Sequence, residues 1–185
     1  MSNSILVTGF ESFNNHKDNM SSKILSKIPL EVSGGITKKL ILPVLYQTAG
    51  EIVLNFLNDN TPDYIIMLGE RENINSIQLE KNALNLRFSN KRDNNGNLIK
   101  QQKIIYNAVT KIPTNIDIDK YAKKYNKNIS ESAGTFVCND VFYQVAYKLW
   151  DSDTKYIFIH VPADANYLDK SLTEILHFMA WIQKN

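Results

Sequence analysis

The chain has one cysteine among its 185 residues, so no disulfide can form within it, and its three histidines build no cluster with metal-ligand spacing. A formal net charge of only +2, with lysine and arginine scattered, argues against a nucleic-acid or membrane surface. Long apolar runs are missing as well. The first, Ile5-Leu6-Val7, lies near the N-terminus without a basic leader, so neither a signal peptide nor a membrane span is expected. No repeat, linker or low-complexity block interrupts the chain. What remains is one globular domain over residues 1–185, 43% hydrophobic and 22% charged, with the cytoplasm as the expected compartment.

Short apolar runs alternate with helical patterns, which predicts an α/β protein. Strands are expected at Ser4 to Thr8, Ile36 to Pro43, Tyr64 to Leu68 and Lys155 to Ile159. Tyr64-Ile65-Ile66-Met67-Leu68 is continuously apolar, as in a strand covered on both faces, and it stops at Gly69-Glu70-Arg71. Between the strands, Ser21 or Ser22 is expected to cap a helix that Pro29 ends. A second helix runs from Thr48 to Asn58 with Ile52, Val53, Phe56 and Leu57 inward, and a lysine-rich surface helix from Ile116 to Tyr125. Leu84, Leu86 and Phe88 alternate like a half-exposed strand before the turn formers Asp93-Asn94-Asn95-Gly96, which suggests a hairpin excursion. Ser171 and Glu174 stand at capping-box spacing before a C-terminal helix. The fold class that follows is a single-domain, three-layer α/β/α sandwich on a mostly parallel mixed sheet.

The lone cysteine, Cys138, precedes Val141, Val145 and Leu149, which repeat every four residues, so it sits at a helix start. Unpaired N–H groups and the positive end of the helix dipole favour the nucleophilic thiolate there, although a lone cysteine also serves as a small buried hydrophobe. Of the histidines, His177 lies among core positions of a helix and His16 in a polar loop. His160 instead follows a buried strand directly, and the carboxyl ends of strands are where open α/β sheets assemble their sites.

Two segments then carry a resemblance: Ala133-Gly134-Thr135-Phe136-Val137-Cys138-Asn139 and Phe158-Ile159-His160-Val161-Pro162. They look like the nucleophile and histidine motifs of the pyroglutamyl peptidase I (pyrrolidone-carboxylate peptidase) family of cysteine peptidases. Leu6-Val7-Thr8-Gly9-Phe10-Glu11-Ser12-Phe13 is similar to that family's opening strand and loop, Leu42-Pro43-Val44 to its second-strand ending, and Glu80-Lys81-Asn82-Ala83-Leu84-Asn85 to its glutamate motif. The motifs are in order along nearly the whole chain.

The resemblance implies a triad of Glu80, Cys138 and His160 acting on peptides with an N-terminal pyroglutamyl residue, without a cofactor or metal. It also implies a pocket for the lactam ring lined by Phe10, Phe13, Asn19, Phe136 and Val137, and a homodimer or homotetramer. The chain departs from the family at Gly69-Glu70-Arg71-Glu72-Asn73-Ile74, where Gly-Gln-Ala-Gly-Gly-Arg is usual, and at Asn90, near a usual arginine. Loss of the glycines bears on backbone that must approach a ligand or take positive φ. Two other readings share these residues: a cysteine hydrolase for another small acyl or lactam substrate, and a binding module in which Cys138 is inert.

Overall fold

Four parallel strands, β1 (Ser4–Phe10), β3 (Gly35–Leu42), β4 (Tyr64–Arg71) and β9 (Lys155–Pro162), form the centre of the fold in the computed structural model, which describes residues 3–13 and 18–185. They belong to a seven-stranded sheet in the order β2-β3-β1-β4-β9-β5-β8, where β2 is Glu31–Val32, β5 is Gln78–Glu80 and β8 is Asn128–Ser130. Strand β5 runs against β9, and β2 against β3. The sheet is therefore mixed and mostly parallel, as the alternating sequence pattern predicts.

Both faces of the sheet are apolar because side chains alternate along each strand and each face has its own helices. Ile5, Val7, Ile66, Leu68, Ile157 and Ile159 point to one side, under α1 (Met20–Lys27), α3 (Ile118–Tyr125) and α5 (Leu168–Ile182). Leu6, Phe10, Ile65, Met67, Tyr156 and Phe158 point to the other, under α2 (Thr48–Asp59) and α4 (Val137–Lys148). Among the described residues no helix is long and apolar enough to cross a membrane.

Some local expectations are corrected. Helix α1 is capped by Asn19, whose side chain accepts from the Ser21 N–H, and not by Ser21 or Ser22. In α5 the capping box does not form. Asp164 caps a short 3-10 turn at Ala165–Tyr167 that leads straight into the helix, so Ser171 lies inside it and is buried, and Glu174 accepts from the Ile77 N–H and Lys127. The excursion contains β6 (Asn82–Leu84), paired with β7 (Lys111–Pro113), and one bridge between Arg87 and Gln102. Its tip is a loop held by Asp93, whose carboxylate accepts from the N–H groups of Asn95 and Asn97.

Candidate active site

Strands β1, β4 and β9 end at one edge of the sheet, and the N-terminus of α4 points at that edge. Parity decides which residues meet there. Gly69 and His160 are register partners on neighbouring parallel strands, so their side-chain directions coincide. Phe158 precedes His160 by two residues and shares its face, and Glu80 pairs with Phe158 across the antiparallel β5–β9 ladder. Gly69, Glu80, Phe158 and His160 thus all face α4.

Cys138 is the second residue of α4, and its Sγ fills the side-chain space that Gly69 leaves empty: a Cβ on Gly69 would lie 2.9 Å from that sulfur and 2.7 Å from Cζ of Phe158. The thiol therefore sits beside the His160 position by the register of the sheet. Asn139 and Asp140 hold the helix start in place. The Asn139 amide donates to the carbonyls of Leu84 and Leu86 and accepts from the Leu84 N–H. The Asp140 carboxylate accepts from the Gln47 N–H at 2.6 Å and from Arg87 Nε at 2.7 Å.

His160 is 3% exposed, and its Nδ1 lies 2.6 Å from Oε1 of Glu80, which is fully buried. An ionised carboxylate only accepts, so Nδ1 carries the proton and Nε2 keeps its lone pair. The same Oε1 forms an ion pair with Arg71, whose Nη1 lies 2.9 Å away. No hydrogen bond joins the Cys138 sulfur to the ring among the described residues; the sulfur lies over Gly69, the register partner of His160.

The thiol opens on a cleft of about 510 Å³ whose lining includes Phe10, Phe13, Asn19, Phe136, Val137 and Cys138, so every residue assigned to the pocket from sequence borders it. Phe136 packs against the rings of Phe13 and Tyr46, each with centroids 5.4 Å away. Asn19 accepts from the Ser21 N–H and hydroxyl through Oδ1. Glu70, on the α1 side of the sheet, accepts from the Met20 N–H through Oε2 at 2.7 Å and also borders the cleft. The Gly69–Ile74 departure keeps a left-handed backbone position, because Asn73 takes a φ of 61°, which asparagine tolerates.

His16 lies outside the described residues. His177 is exposed on α5 and its Nδ1 is 2.9 Å from the Tyr121 hydroxyl, remote from the cysteine.

The electrostatics differ from the sequence expectation. Burial pushes the Cys138 thiol up to about 12, and Arg71 and the backbone N–H of Cys138 offset this only in part, while Glu80 and Glu70 add to it. A helix start alone does not hold a thiolate here. Burial also lowers His160 from its usual 6.5; Glu80 opposes that shift and Arg71 adds to it. The pair rests as thiol and neutral imidazole, so the thiol reacts only if a base takes its proton. The sequence reading missed Arg71 as Glu80's second partner and the Asn139–Asp140 clamp. The latter had a signal, a polar pair inside an otherwise apolar helix start.

A model of a protein family described as pyroglutamyl peptidase matches residues 3–172. The chain is 35% identical over 170 residues to the pyrrolidone-carboxylate peptidase of Thermosipho melanesiensis, covering 88% of this chain and 84% of that protein. It is 31% identical over 168 residues to the protein of the same name from Enterococcus faecalis, covering 85% and 78%. The crystal structure of pyrrolidone carboxyl peptidase from Thermus thermophilus superimposes with a TM-score of 0.85 at 27% identity, over 95% of this chain and 96% of that one.

Proposed function

Since the chain belongs to the pyroglutamyl peptidase family, we propose that it removes an N-terminal pyroglutamyl residue from peptides, with Cys138 as nucleophile, His160 as general base and acid, and Glu80 as the group that orients His160. The observation that carries this reading is the Nδ1–Glu80 contact of 2.6 Å, which leaves Nε2 of His160 as acceptor on the sheet face where Cys138 Sγ covers Gly69.

In this reading His160 Nε2 takes the Cys138 proton as sulfur attacks the carbonyl carbon that links the pyroglutamyl residue to the next one. The thiol–imidazole bond tightens only once substrate is in place, as catalytic hydrogen bonds often do. The developing oxyanion is met by N–H groups of the first turn of α4, whose N-cap Phe136 supplies no side-chain acceptor to occupy them. Collapse breaks the C–N bond, His160 returns its proton to the departing amine, and a thioester stays on Cys138. Water, deprotonated by His160, then releases pyroglutamate and restores the thiol.

The cleft suits a small flat lactam. Phe13 and Phe136 offer ring faces, while Asn19, with Oδ1 taken by Ser21, keeps Nδ2 to donate to the ring carbonyl. Glu70, with Oε2 on Met20, keeps Oε1 to accept the ring N–H. The same reading carries residence in the cytoplasm and a homodimer or homotetramer, which light scattering tests. The function is tested by fluorophore release from a pyroglutamyl amide and from the matching prolyl amide, which lacks the ring carbonyl. Release from the first alone is expected, and equal release from both would overturn the assignment.

A further inference from the structure

Glu80 has two partners on one oxygen. Its Oε1 lies 2.6 Å from His160 Nδ1 in a hydrogen bond and 2.9 Å from Arg71 Nη1 in an ion pair, while its buried Oε2 has no partner among the described residues. A buried carboxylate with an unsatisfied oxygen gains by rotating that oxygen toward any donor, and the His160 bond alone is a single pivot that does not prevent this. Arg71 supplies the second point of attachment.

Arg71 is itself fixed independently of Glu80. Nη1 donates to Gln78 Oε1 at 2.9 Å and to Ser130 Oγ at 3.2 Å, and Nη2 to the Ser132 carbonyl at 3.4 Å. These partners belong to β5, to β8 and to the segment leading to Cys138. The guanidinium thus spans three strands at the sheet edge, on the face shared with the thiol, and it borders the cleft. We propose that Arg71 is a positioning residue of the reaction, pinning Glu80 Oε1 so that His160 is held neutral and correctly turned beside Cys138; this rests on the peptidase reading above.

The direction of its influence follows from charge. The charged and titratable groups around the Cys138–His160 pair are Glu80 from β5, Arg71 and Glu70 from β4, and each other from α4 and β9. A cation here disfavours the imidazolium and favours the thiolate, so Arg71 supports the neutral resting imidazole, while in the proton transfer itself its effects on the two partners oppose each other. Arg71 also ties strands together, and a strut alone would affect stability without touching either titration.

The experiment compares wild type with Arg71→Met, Arg71→Lys and Gln78→Leu. Two readouts are used: the pH profile of kcat/KM on a pyroglutamyl fluorogenic amide, and the rate of Cys138 inactivation by chloroacetamide, a neutral reagent. Arg71→Met is expected to lower kcat/KM about tenfold or more, chiefly through kcat, as loss of a partly buried ion-pair partner of Glu80 does. Its acid limb should move to higher pH and its inactivation should slow. Arg71→Lys retains the charge without the fork, so the acid limb should stay near wild type while kcat falls. Gln78→Leu loosens the guanidinium without touching Glu80 and should move the acid limb in the same direction as Arg71→Met.

Arg71→Met with an unaltered pH profile and inactivation rate, changed only in thermal stability, would make Arg71 a strut and overturn the proposal. Should Arg71→Met not fold, a wild-type kcat in Arg71→Lys together with a wild-type profile in Gln78→Leu has the same force. If the wild type releases no pyroglutamyl fluorophore, the functional assignment fails, while the chloroacetamide comparison still decides whether Arg71 acts on the thiol.

Discussion

Gly69→Ala adds one methyl group at the point where the sheet meets the thiol. The new Cβ would lie 2.7 Å and 2.8 Å from Cζ and Cε1 of Phe158 and 2.9 Å from Cys138 Sγ. Contact between such atoms is favourable near roughly 3.5 to 4.0 Å, so each pair must separate by roughly 0.6 Å or more. Gly69 does not have a positive φ, so alanine meets no backbone strain and the effect is steric. Phe158 is fully buried between the rings of Phe142 and His160, with centroids 6.0 Å and 5.0 Å away, and cannot retreat without moving the histidine. Cys138 faces the cleft and yields first. Overpacking of this kind costs about 1–3 kcal/mol, a fall in Tm of roughly 3–10 °C for a chain of this size. Displacing the sulfur by most of an ångström should lower kcat about 100-fold, because reacting groups tolerate little misplacement. The assay is fluorophore release from a pyroglutamyl amide beside a thermal melt. Wild-type kcat with an unchanged Tm would refute the packing of Sγ over Gly69.

Glu80→Gln removes the carboxylate that accepts from Nδ1 and should lower kcat by roughly 100- to 10,000-fold, while chloroacetamide still labels Cys138. Because burial lowers His160 from its usual 6.5, activity should persist below pH 6.5 and fall only as pH drops through the lower folded value; a profile with its acid limb above 6.5 would contradict this. The same shift makes the His160 contribution to stability complete above pH 6.5 and lost as pH falls through the folded value, since the unfolded chain binds the proton first; thermal melts across that window check it. Asp140→Ala leaves Arg87, whose side chain is 8% exposed, without its anion, and should destabilise the fold by about 3–5 kcal/mol, which reads as a Tm lower by roughly 10 °C.

The parts of this molecule visible in sequence are those that local pattern controls. The apolar runs around Ile65 and Ile157 announce buried parallel strands, and the Val141–Val145–Leu149 stripe announces α4. Cys138 and His160 stand at element ends, where chemistry is assembled, and their motifs identify the candidate triad. Relations between distant residues were not visible. Arg71 reaches Glu80 only because β5 turns back along β9, a short antiparallel pairing without a clear periodicity of its own. Ser171 has the spacing of a capping box, but the 3-10 turn behind Asp164 starts the helix earlier and buries it. For Cys138 the helix start does favour the thiolate, yet desolvation is the larger effect, and its size depends on tertiary packing that no window of sequence contains.

The central claim is that Cys138 carries the pyroglutamyl group during turnover. The direct measurement is acid quenching of the enzyme within milliseconds of mixing with a pyroglutamyl ester, followed by peptide mass spectrometry. One pyroglutamyl acyl group is expected on the peptide that contains Cys138, released by hydroxylamine and absent from Cys138→Ala. Turnover that persists in Cys138→Ala, or an acyl group found on any other residue, would contradict the assignment of the nucleophile.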